Sequence, residues 1–307
     1  MLDFKKENIV ENVSNFTPYG TDPKKDKMVK SNNWEKRLEM AKESYGLNIL
    51  IKDKKWIIRR TVAEQGYGLD ILINDKDWEV REAVAEQGYG LGILVNDKHD
   101  GVRIAVANQG YGLDVLINDK NWVIRRAVAR QGYGLDILIN DKEEWVRAAV
   151  AKQGYGLNIL INDKDWEVRV AIADQGYGLD VLINDKNWVI REAVARQGYG
   201  LDILINDKEE WVRAEVVKQG YGLDILVNDE HWGVRKAVKN YLTSHNLTLE
   251  QWESNQEHSK TNIINKAKNA INDGKIDIKN VANNIKSTED VLNNNINKIN
   301  KINEINK

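Results

Sequence analysis

Aspartate, arginine, lysine and tryptophan recur at fixed places in a 22-residue unit, which residues 69–90 represent as LDILINDKDWEVREAVAEQGYG. Aspartate and arginine at this spacing could form ion pairs, a row of lysines could contact phosphates, and exposed tryptophans could anchor a partner. An active site needs one singular constellation of side chains. Because each of these residue types recurs from unit to unit, the pattern favours structural or binding roles over catalysis.

The chain offers few groups for covalent or metal chemistry. It has no cysteine among its 307 residues, which excludes disulfides, thiol catalysis and cysteine-held metals. No glycine-rich phosphate loop or nucleophile elbow occurs. Its four histidines share no metal-ligand spacing and are interpreted as surface residues: His99, His231, His245 and His258. We therefore expect no enzymatic activity, no cofactor and no bound metal.

Each unit places an aspartate in the loop before its second helix and an arginine on that helix. The arginine fork can bind a carboxylate and backbone carbonyls together. We predict that these residues are rungs of a structural ladder between neighbouring units, each contributing on the order of 1–3 kcal/mol. Representative ladder residues are Asp75, Arg81, Asp119, Arg125, Asp163, Arg169, Asp207 and Arg213.

Recognition is expected where the copies differ. The position after the conserved arginine and the position at the end of the second helix both vary, so packing does not fix them and we expect them to be exposed. Trp145 and Trp211 lie one place later than the other tryptophans, which turns them about 100° round a helix. The candidate partner-binding residues are Arg60, Glu82, Arg126, Arg130, Lys152, Glu192, Arg196, Lys218, Trp145 and Trp211.

A row of lysines supplies an alternative, nucleic-acid-binding hypothesis. Each lysine follows the loop aspartate, and the basic residues 259–307 could add to the row. The row comprises Lys54, Lys76, Lys98, Lys120, Lys142, Lys164, Lys186 and Lys208. Against this, the formal net charge is −2 and residues 34–258 carry about −7, whereas a nucleic-acid binder usually has a basic main body.

The unit divides into two predicted helices. Leu69, Leu72 and Ile73 have the spacing of one face of a short helix, α or 3₁₀, although a strand is the alternative for LDILIN. Asn74 is predicted to stop this helix with a positive φ. In the second half, Val80 and neighbouring alanine and valine residues form one apolar face, and Gly88 is predicted to end that helix.

Three regions follow from the repeats. Residues 1–33 are predicted to be a poorly ordered extension whose short apolar set could cap the first repeat. Residues 34–252 form the array, beginning with a half repeat at Trp34. Residues 253–307, rich in Asn, Lys and Ile, are predicted to be a partly disordered or helical tail, and self-association through this tail is one hypothesis.

The segment NDKDWEVREAVA resembles the second helix of HEAT-type repeats and is similar to the leucine-rich repeat variant class, with its L..L..D....VR..VA pattern. The resemblance covers about residues 34–240. It implies an all-α, right-handed α-solenoid of about nine two-helix units. One variant-class protein type holds a cysteine-bound iron–sulfur cluster, which this cysteine-free chain cannot share. Some HEAT-like proteins are DNA glycosylases, an activity that the acidic array disfavours.

These features together predict a non-enzymatic repeat scaffold that binds a protein partner through an extended surface. No apolar run approaches the roughly 18 residues of a membrane span, so no membrane association is expected. The absence of cysteine and of a secretory signal favours a cytoplasmic location. Near-identical blocks spaced three units apart indicate recent duplication, which suits a phage- or mobile-element-related protein.

Overall fold

The computed structural model describes residues 16–256 of the chain. Within that range every regular element is a helix, and the single β-type contact is an isolated bridge between Thr17 and Tyr45. The predicted all-α class is therefore confirmed. The apolar stripes assigned to residues 259–307 lie outside the described residues, as does the apolar set at residues 2–13.

Each repeat, and the half repeat that precedes the first one, contains one longer helix. In a typical copy, Val80, Ala83 and Val84 are fully buried, as their spacing predicts. Each buried valine contributes about 1.5–3 kcal/mol from the hydrophobic effect. The helices are α2 (Trp34–Lys42), α4 (Trp56–Glu64), α6 (Trp78–Glu86), α8 (Asp100–Asn108), α10 (Trp122–Arg130), α12 (Glu144–Lys152), α14 (Trp166–Ala173), α16 (Trp188–Arg196), α18 (Glu210–Lys218) and α20 (Trp232–Ser244).

The first half of each unit is a short α-helix of four residues, not a strand. In α5, the amide of Leu72 donates to the Gly68 carbonyl and that of Ile73 to the Leu69 carbonyl, which closes one α-helical turn. The short helices are α3 (Leu47–Leu50), α5 (Leu69–Leu72), α7 (Leu91–Leu94), α9 (Leu113–Leu116), α11 (Leu135–Leu138), α13 (Leu157–Leu160), α15 (Leu179–Leu182), α17 (Leu201–Leu204) and α19 (Leu223–Leu226).

The longer helices end as the sequence predicts. Gly88 follows α6 with φ of +73°, the Tyr89 amide donates to the Val84 carbonyl, and the Gly88 amide donates to the Ala85 carbonyl. This pair of bonds is the Schellman arrangement, which satisfies carbonyls that the helix end would otherwise leave unpaired. The glycine is required because the left-handed conformation is costly for a side chain with a Cβ.

A second left-handed glycine, which the residue spacing did not predict, starts each short helix. Gly90 precedes α7 with φ of +62°, and a Cβ at this position would overlap Cδ1 of Ile73. The prediction that Asn74 has a positive φ is wrong, since the only described non-glycine residues with positive φ are Ser44 and Asn246. The short helix ends without it because the Asn74 amide bonds to the Ile71 carbonyl in a 3₁₀-type turn.

Neighbouring helix pairs pack against each other in register within two compact units, which divide between Leu204 and Ile205. In the first unit, each long helix contacts the next long helix and the short helices on either side of it. In the second unit, α18, α19 and α20 pack in the same way. This regular stacking of 22-residue helical repeats is the architecture of an α-solenoid.

Residues 16–31 correct one expectation, because they are ordered against the first repeats. Asp22 caps the first helix, α1 (Pro23–Val29), by accepting from the amides of Lys24 and Lys25. The Asp22 amide in turn donates to the Tyr45 hydroxyl, and the Phe16 ring lies 4.8 Å from that of Tyr67. Proline and lysine made this segment look irregular, but proline is favoured at the first position of a helix.

Candidate functional site

The conserved arginines join neighbouring repeats. Arg81 on α6 donates from Nε and Nη2 to the two carboxylate oxygens of Asp97, 2.6 and 2.9 Å away in the next repeat. Its Nη1 donates to the backbone carbonyl of Asp75, 2.7 Å away in its own repeat. Arg81 therefore pairs with the backbone of the aspartate six residues before it and with the carboxylate of the one sixteen residues after it.

The aspartate has a second task in each repeat. Oδ1 of Asp97 accepts from the amide of His99 at 2.8 Å, which holds the loop before α8. Burial alone would raise the pKa of Asp97, but the hydrogen bonds from Arg81 and from the His99 amide lower it below its usual value. Because both side chains are nearly inaccessible to solvent, the pair stabilises the packing of neighbouring repeats and is not available to a ligand.

The other ladder positions follow the same geometry. Bidentate pairs join Arg37 to Asp53, Arg59 to Asp75, Arg103 to Asp119, Arg125 to Asp141, Arg147 to Asp163, Arg169 to Asp185 and, in the second unit, Arg213 to Asp229. Asp207 accepts at its carbonyl from Arg213 and at its carboxylate from the Glu209 amide. These contacts give the recurring aspartates and arginines a structural role.

In the long helices that carry a tryptophan, the tryptophan and the two variable positions share one stripe of the helix. On α10, Trp122, Arg126 and Arg130 follow at intervals of four residues, so they lie on the same helical face. The variable position at the helix end, which Arg130 occupies on α10, is exposed in every copy. The column after the arginine is mostly half-buried, and Ala148 is buried, so the expectation of full exposure there was wrong. The neighbouring long helices cover this position.

Several candidate partner-binding residues are paired with opposite charges. Arg60 contacts Glu64 at 3.0 Å and Glu82 at 3.8 Å. The other paired candidates are Arg196, which contacts Asp174 and Glu192, and Lys218, which contacts Glu215. Pairs between exposed side chains are weak, typically about 0–1 kcal/mol. Glu215 is buried, but all of these contacts neutralise the cations locally.

By contrast, Arg126, Arg130 and Lys152 have no ion-pair partner within residues 16–256. Arg126 instead lies over the ring of Trp122, with its guanidinium carbon 5.3 Å from the ring centroid. The structure therefore separates the charged candidates into two groups. One group is paired with opposite charges, and the other is an uncompensated cationic group of Arg126, Arg130 and Lys152.

The tryptophans are only partly buried, and the shift in register is not the cause. Trp145 is 41% exposed, but the unshifted Trp166 is 40% exposed as well. Trp211, in the second unit, is 60% exposed. Where the third repeat lacks tryptophan, His99 stacks on Trp78 with ring centroids 3.8 Å apart. The tryptophan rings thus form half-exposed apolar surface along the long helices.

A row of aliphatic side chains on the short helices was missed by the sequence analysis. The third residue of each short helix points to solvent, and from the second copy onward these side chains are 50–66% exposed. We call this the aliphatic row: Ile49, Ile71, Ile93, Val115, Ile137, Ile159, Val181 and Ile203 in the first unit, and Ile225 in the second. A signal existed, since residue 71 lies on the opposite side of a helix from residues 69, 72 and 73.

The lysine row is exposed throughout. All eight lysines are solvent-accessible, and within the described residues the row's only ion pair is a 3.9 Å contact between Lys142 and Glu143. Lys76 and Lys98 border an open groove with Asn74, Asn96 and Ile93. The lysine row therefore adjoins the aliphatic row in this part of the first unit.

Residues 16–256 contain no group of three or more histidine, aspartate or glutamate side chains arranged to hold a metal ion. In the same part of the chain, no helix is long and apolar enough to cross a membrane.

The fold and these surfaces define a class, the tandem helical-repeat proteins with a regular period of 22 residues. Comparison with protein-family models gave no match, and a comparison with curated proteins also gave none.

Proposed function

We propose that the protein is a non-enzymatic repeat scaffold that binds a protein partner through its exposed repeat surface. The aliphatic row carries this proposal. Contiguous exposed apolar surface usually marks an interaction site, and here one branched aliphatic side chain is exposed in each successive repeat. From the second copy onward these positions are at least half exposed, so packing of the repeats alone does not explain an aliphatic residue there.

Within this proposal, the chain is a HEAT-like or leucine-rich-repeat-variant type of solenoid. The inter-repeat arginine–aspartate pairs and the short first helix support that finer assignment. We further infer a cytoplasmic location, a phage- or mobile-element-related role, and self-association through residues 253–307. These inferences rest on the cysteine-free composition, the duplicated blocks and the Asn-, Lys- and Ile-rich sequence.

The test uses the full chain and two matched pairs of substitutions in neighbouring repeats. Ile137→Asp with Ile159→Asp places charges in the aliphatic row, and Lys142→Gln with Lys164→Gln removes charges from the lysine row. All four side chains are exposed, so each variant should keep its melting temperature. In affinity capture from nuclease-treated extract, retained proteins should be lost with the isoleucine variant and kept with the lysine variant.

Nucleic-acid binding is the second candidate, favoured by the exposed and largely unpaired lysine row. A gel-shift titration of the same proteins across salt concentrations distinguishes it, because phosphate contacts weaken steeply as salt rises. Binding that disappears with the lysine variant would support this candidate. The scaffold proposal would be contradicted if the isoleucine variant retained the same proteins as the natural chain, or if the natural chain retained no protein.

A further inference from the structure

An open groove of about 260 Å³ crosses the long helices α10, α12 and α14 in the first unit. Its lining brings together the uncompensated cations and two half-exposed tryptophans: Arg126 and Arg130 from α10, Trp145 and Lys152 from α12, and Trp166 from α14. The repeats are nearly identical, but this combination is singular because it depends on variable positions. It is therefore a place where a regular array could recognise one specific ligand.

The charges of the groove distinguish it from the equivalent surface elsewhere. Arg60 occupies the same repeat position as Arg126, and it is neutralised by Glu64 and Glu82. For Arg126 these two carboxylates are replaced by Arg130 and Ala148, so its environment adds positive charge instead of removing it. Burial and the neighbouring charge of Arg130 both lower the pKa of Arg126, whereas the carboxylates of the ladder raise the pKa of Arg125.

Aromatic surface supports the cations. The Arg126 guanidinium lies over Trp122, and the rings of Trp122 and Trp145 are stacked with centroids 6.5 Å apart. A guanidinium that rests on a ring keeps its donor edge free for a carboxylate, and tryptophan and arginine are the residue types that dominate binding hot spots. The groove thus combines anion donors with apolar surface for a neighbouring side chain.

Resting on the proposed scaffold function, we propose that this groove binds an acidic peptide segment of the protein partner. The carboxylates of the segment pair with Arg126, Arg130 and Lys152. An apolar or aromatic side chain next to them packs against Trp145 and Trp166. None of the three cations has a carboxylate within ion-pair distance among the described residues, so the partner supplies the counter-charges.

Carboxylates around the groove favour a peptide over a nucleic acid. Glu167 and Asp174 line the groove beside Trp166, and burial and a hydrogen bond with Asp165 raise the pKa of Glu167. Further along the long helices, α6 presents Glu82 and Glu86 at the same repeat positions as the two arginines. A continuous phosphate backbone would meet these acids, whereas a peptide can place its carboxylates only where the cations lie.

The experiment is a phage-display selection of random dodecapeptides on the full-length protein, followed by anisotropy measurements with the labelled selected peptides. We expect enrichment of peptides that combine Asp or Glu with an apolar or aromatic residue. Arg126→Ala with Arg130→Ala should weaken their binding by at least about tenfold, a loss of about 1.4 kcal/mol. The matched control, Arg60→Ala, should change it less than about twofold, because that charge is already compensated.

A charge reversal separates recognition from a loss of folding. Arg130→Glu should reject the acidic peptides and accept their Glu-to-Lys counterparts, while an unchanged melting curve shows that the repeats remain folded. Acidic peptides that bind the double variant as tightly as the natural protein would overturn the proposal, as would selection of neutral or basic peptides. So would labelled single-stranded DNA or RNA that outcompetes the peptides and depends on the two arginines.

Failure of this inference is distinguishable from failure of the scaffold function. If binding of the selected peptides is unchanged by the arginine substitutions but is abolished by Ile137→Asp with Ile159→Asp, the scaffold function stands and the groove assignment is wrong. If no peptide is enriched, the groove assignment is wrong, and the affinity capture with the aliphatic-row variant decides on the scaffold function separately.

Discussion

At the scale of single residues, the arginines of the ladder combine a salt bridge with backbone recognition. Arg147 binds both carboxylate oxygens of Asp163 and also donates to the carbonyl of Asp141. Both side chains are more than 90% buried. Removing one partner of such a pair is costly because it leaves the other charge buried without compensation.

We therefore expect Arg147→Ala to lower the free energy of unfolding by about 3–5 kcal/mol. Urea denaturation followed by circular dichroism measures this loss. The combination with Asp163→Asn should be less destabilised than the sum of the two single variants, since no unpaired charge remains and the oxygen of the introduced side-chain amide could still accept from the backbone amide of Asp165. Strict additivity would show that the two side chains are not energetically coupled.

The same pairs determine the response to acid. Hydrogen bonds from arginine and from a backbone amide lower the pKa of Asp75, Asp97 and Asp163 despite their burial. A carboxyl whose pKa is lower in the folded state stabilises the protein above its unfolded pKa, near 3.9, and loses this contribution as pH falls through the folded value. Arginine stays charged throughout.

The melting temperature should consequently change little between about pH 7 and 5 and fall steeply below about pH 4. Thermal denaturation across this range measures the effect. Asp163→Asn provides the control, because it removes one titrating rung and should reduce the dependence on pH in the acid range. A melting temperature that rises on acidification would contradict the assignment.

At the scale of the helices, close approach between neighbouring repeats dictates a second glycine. Gly134 precedes α11 with φ of +59°, and a Cβ at this position would overlap Cδ1 of Ile117 from the preceding repeat. Gly132 also has a positive φ, of +74°, but a Cβ there would meet only Oε1 of Gln153 at 3.9 Å. A substitution at Gly132 therefore introduces backbone strain alone, whereas one at Gly134 introduces the same strain together with steric overlap.

Gly132→Ala should cost about 1–2 kcal/mol from its left-handed backbone alone. Gly134→Ala should cost clearly more, because it carries the same strain and also displaces Ile117 from the core. Urea denaturation of the two variants side by side measures the difference. Equal losses would show that Ile117 moves aside without cost and that close approach does not require the glycine.

The sequence predicted the helices correctly where the spacing of apolar residues and a helix-ending glycine agree. Leu72 and Ile73 are buried and Gly88 ends α6, as predicted. The exposed Ile71 was not foreseen, because the apolar face was predicted from residues 69, 72 and 73 alone and residue 71 was assigned no role. The difference between Arg60 and Arg126 could be read from the sequence only in part. Glu64 lies four residues after Arg60 on the same helix, but the contact with Glu82 on the next helix required the structure.

At the scale of the whole molecule, a repeat array needs covered ends, because each repeat is stabilised mainly by its neighbours. The N-terminal end is covered by α1. The hydroxyl of Tyr45 donates to Asp26 at 2.7 Å and accepts from the amide of Asp22 at 2.9 Å, and its ring is almost completely buried. The equivalent tyrosine of a middle repeat, Tyr155, is 42% exposed, and its hydroxyl has no partner among the described residues.

Tyr45→Phe should therefore remove both hydrogen bonds and destabilise the first repeat by about 1–3 kcal/mol, whereas Tyr155→Phe should be nearly neutral. Because coupling in such arrays is mainly between nearest neighbours, the loss should remain local. Hydrogen exchange followed by mass spectrometry should show faster exchange in α1, α2 and α3 of the Tyr45 variant and unchanged exchange in α10–α12. Faster exchange throughout the first unit would instead show that its repeats open as one cooperative block, and the cap would then stabilise all of them together.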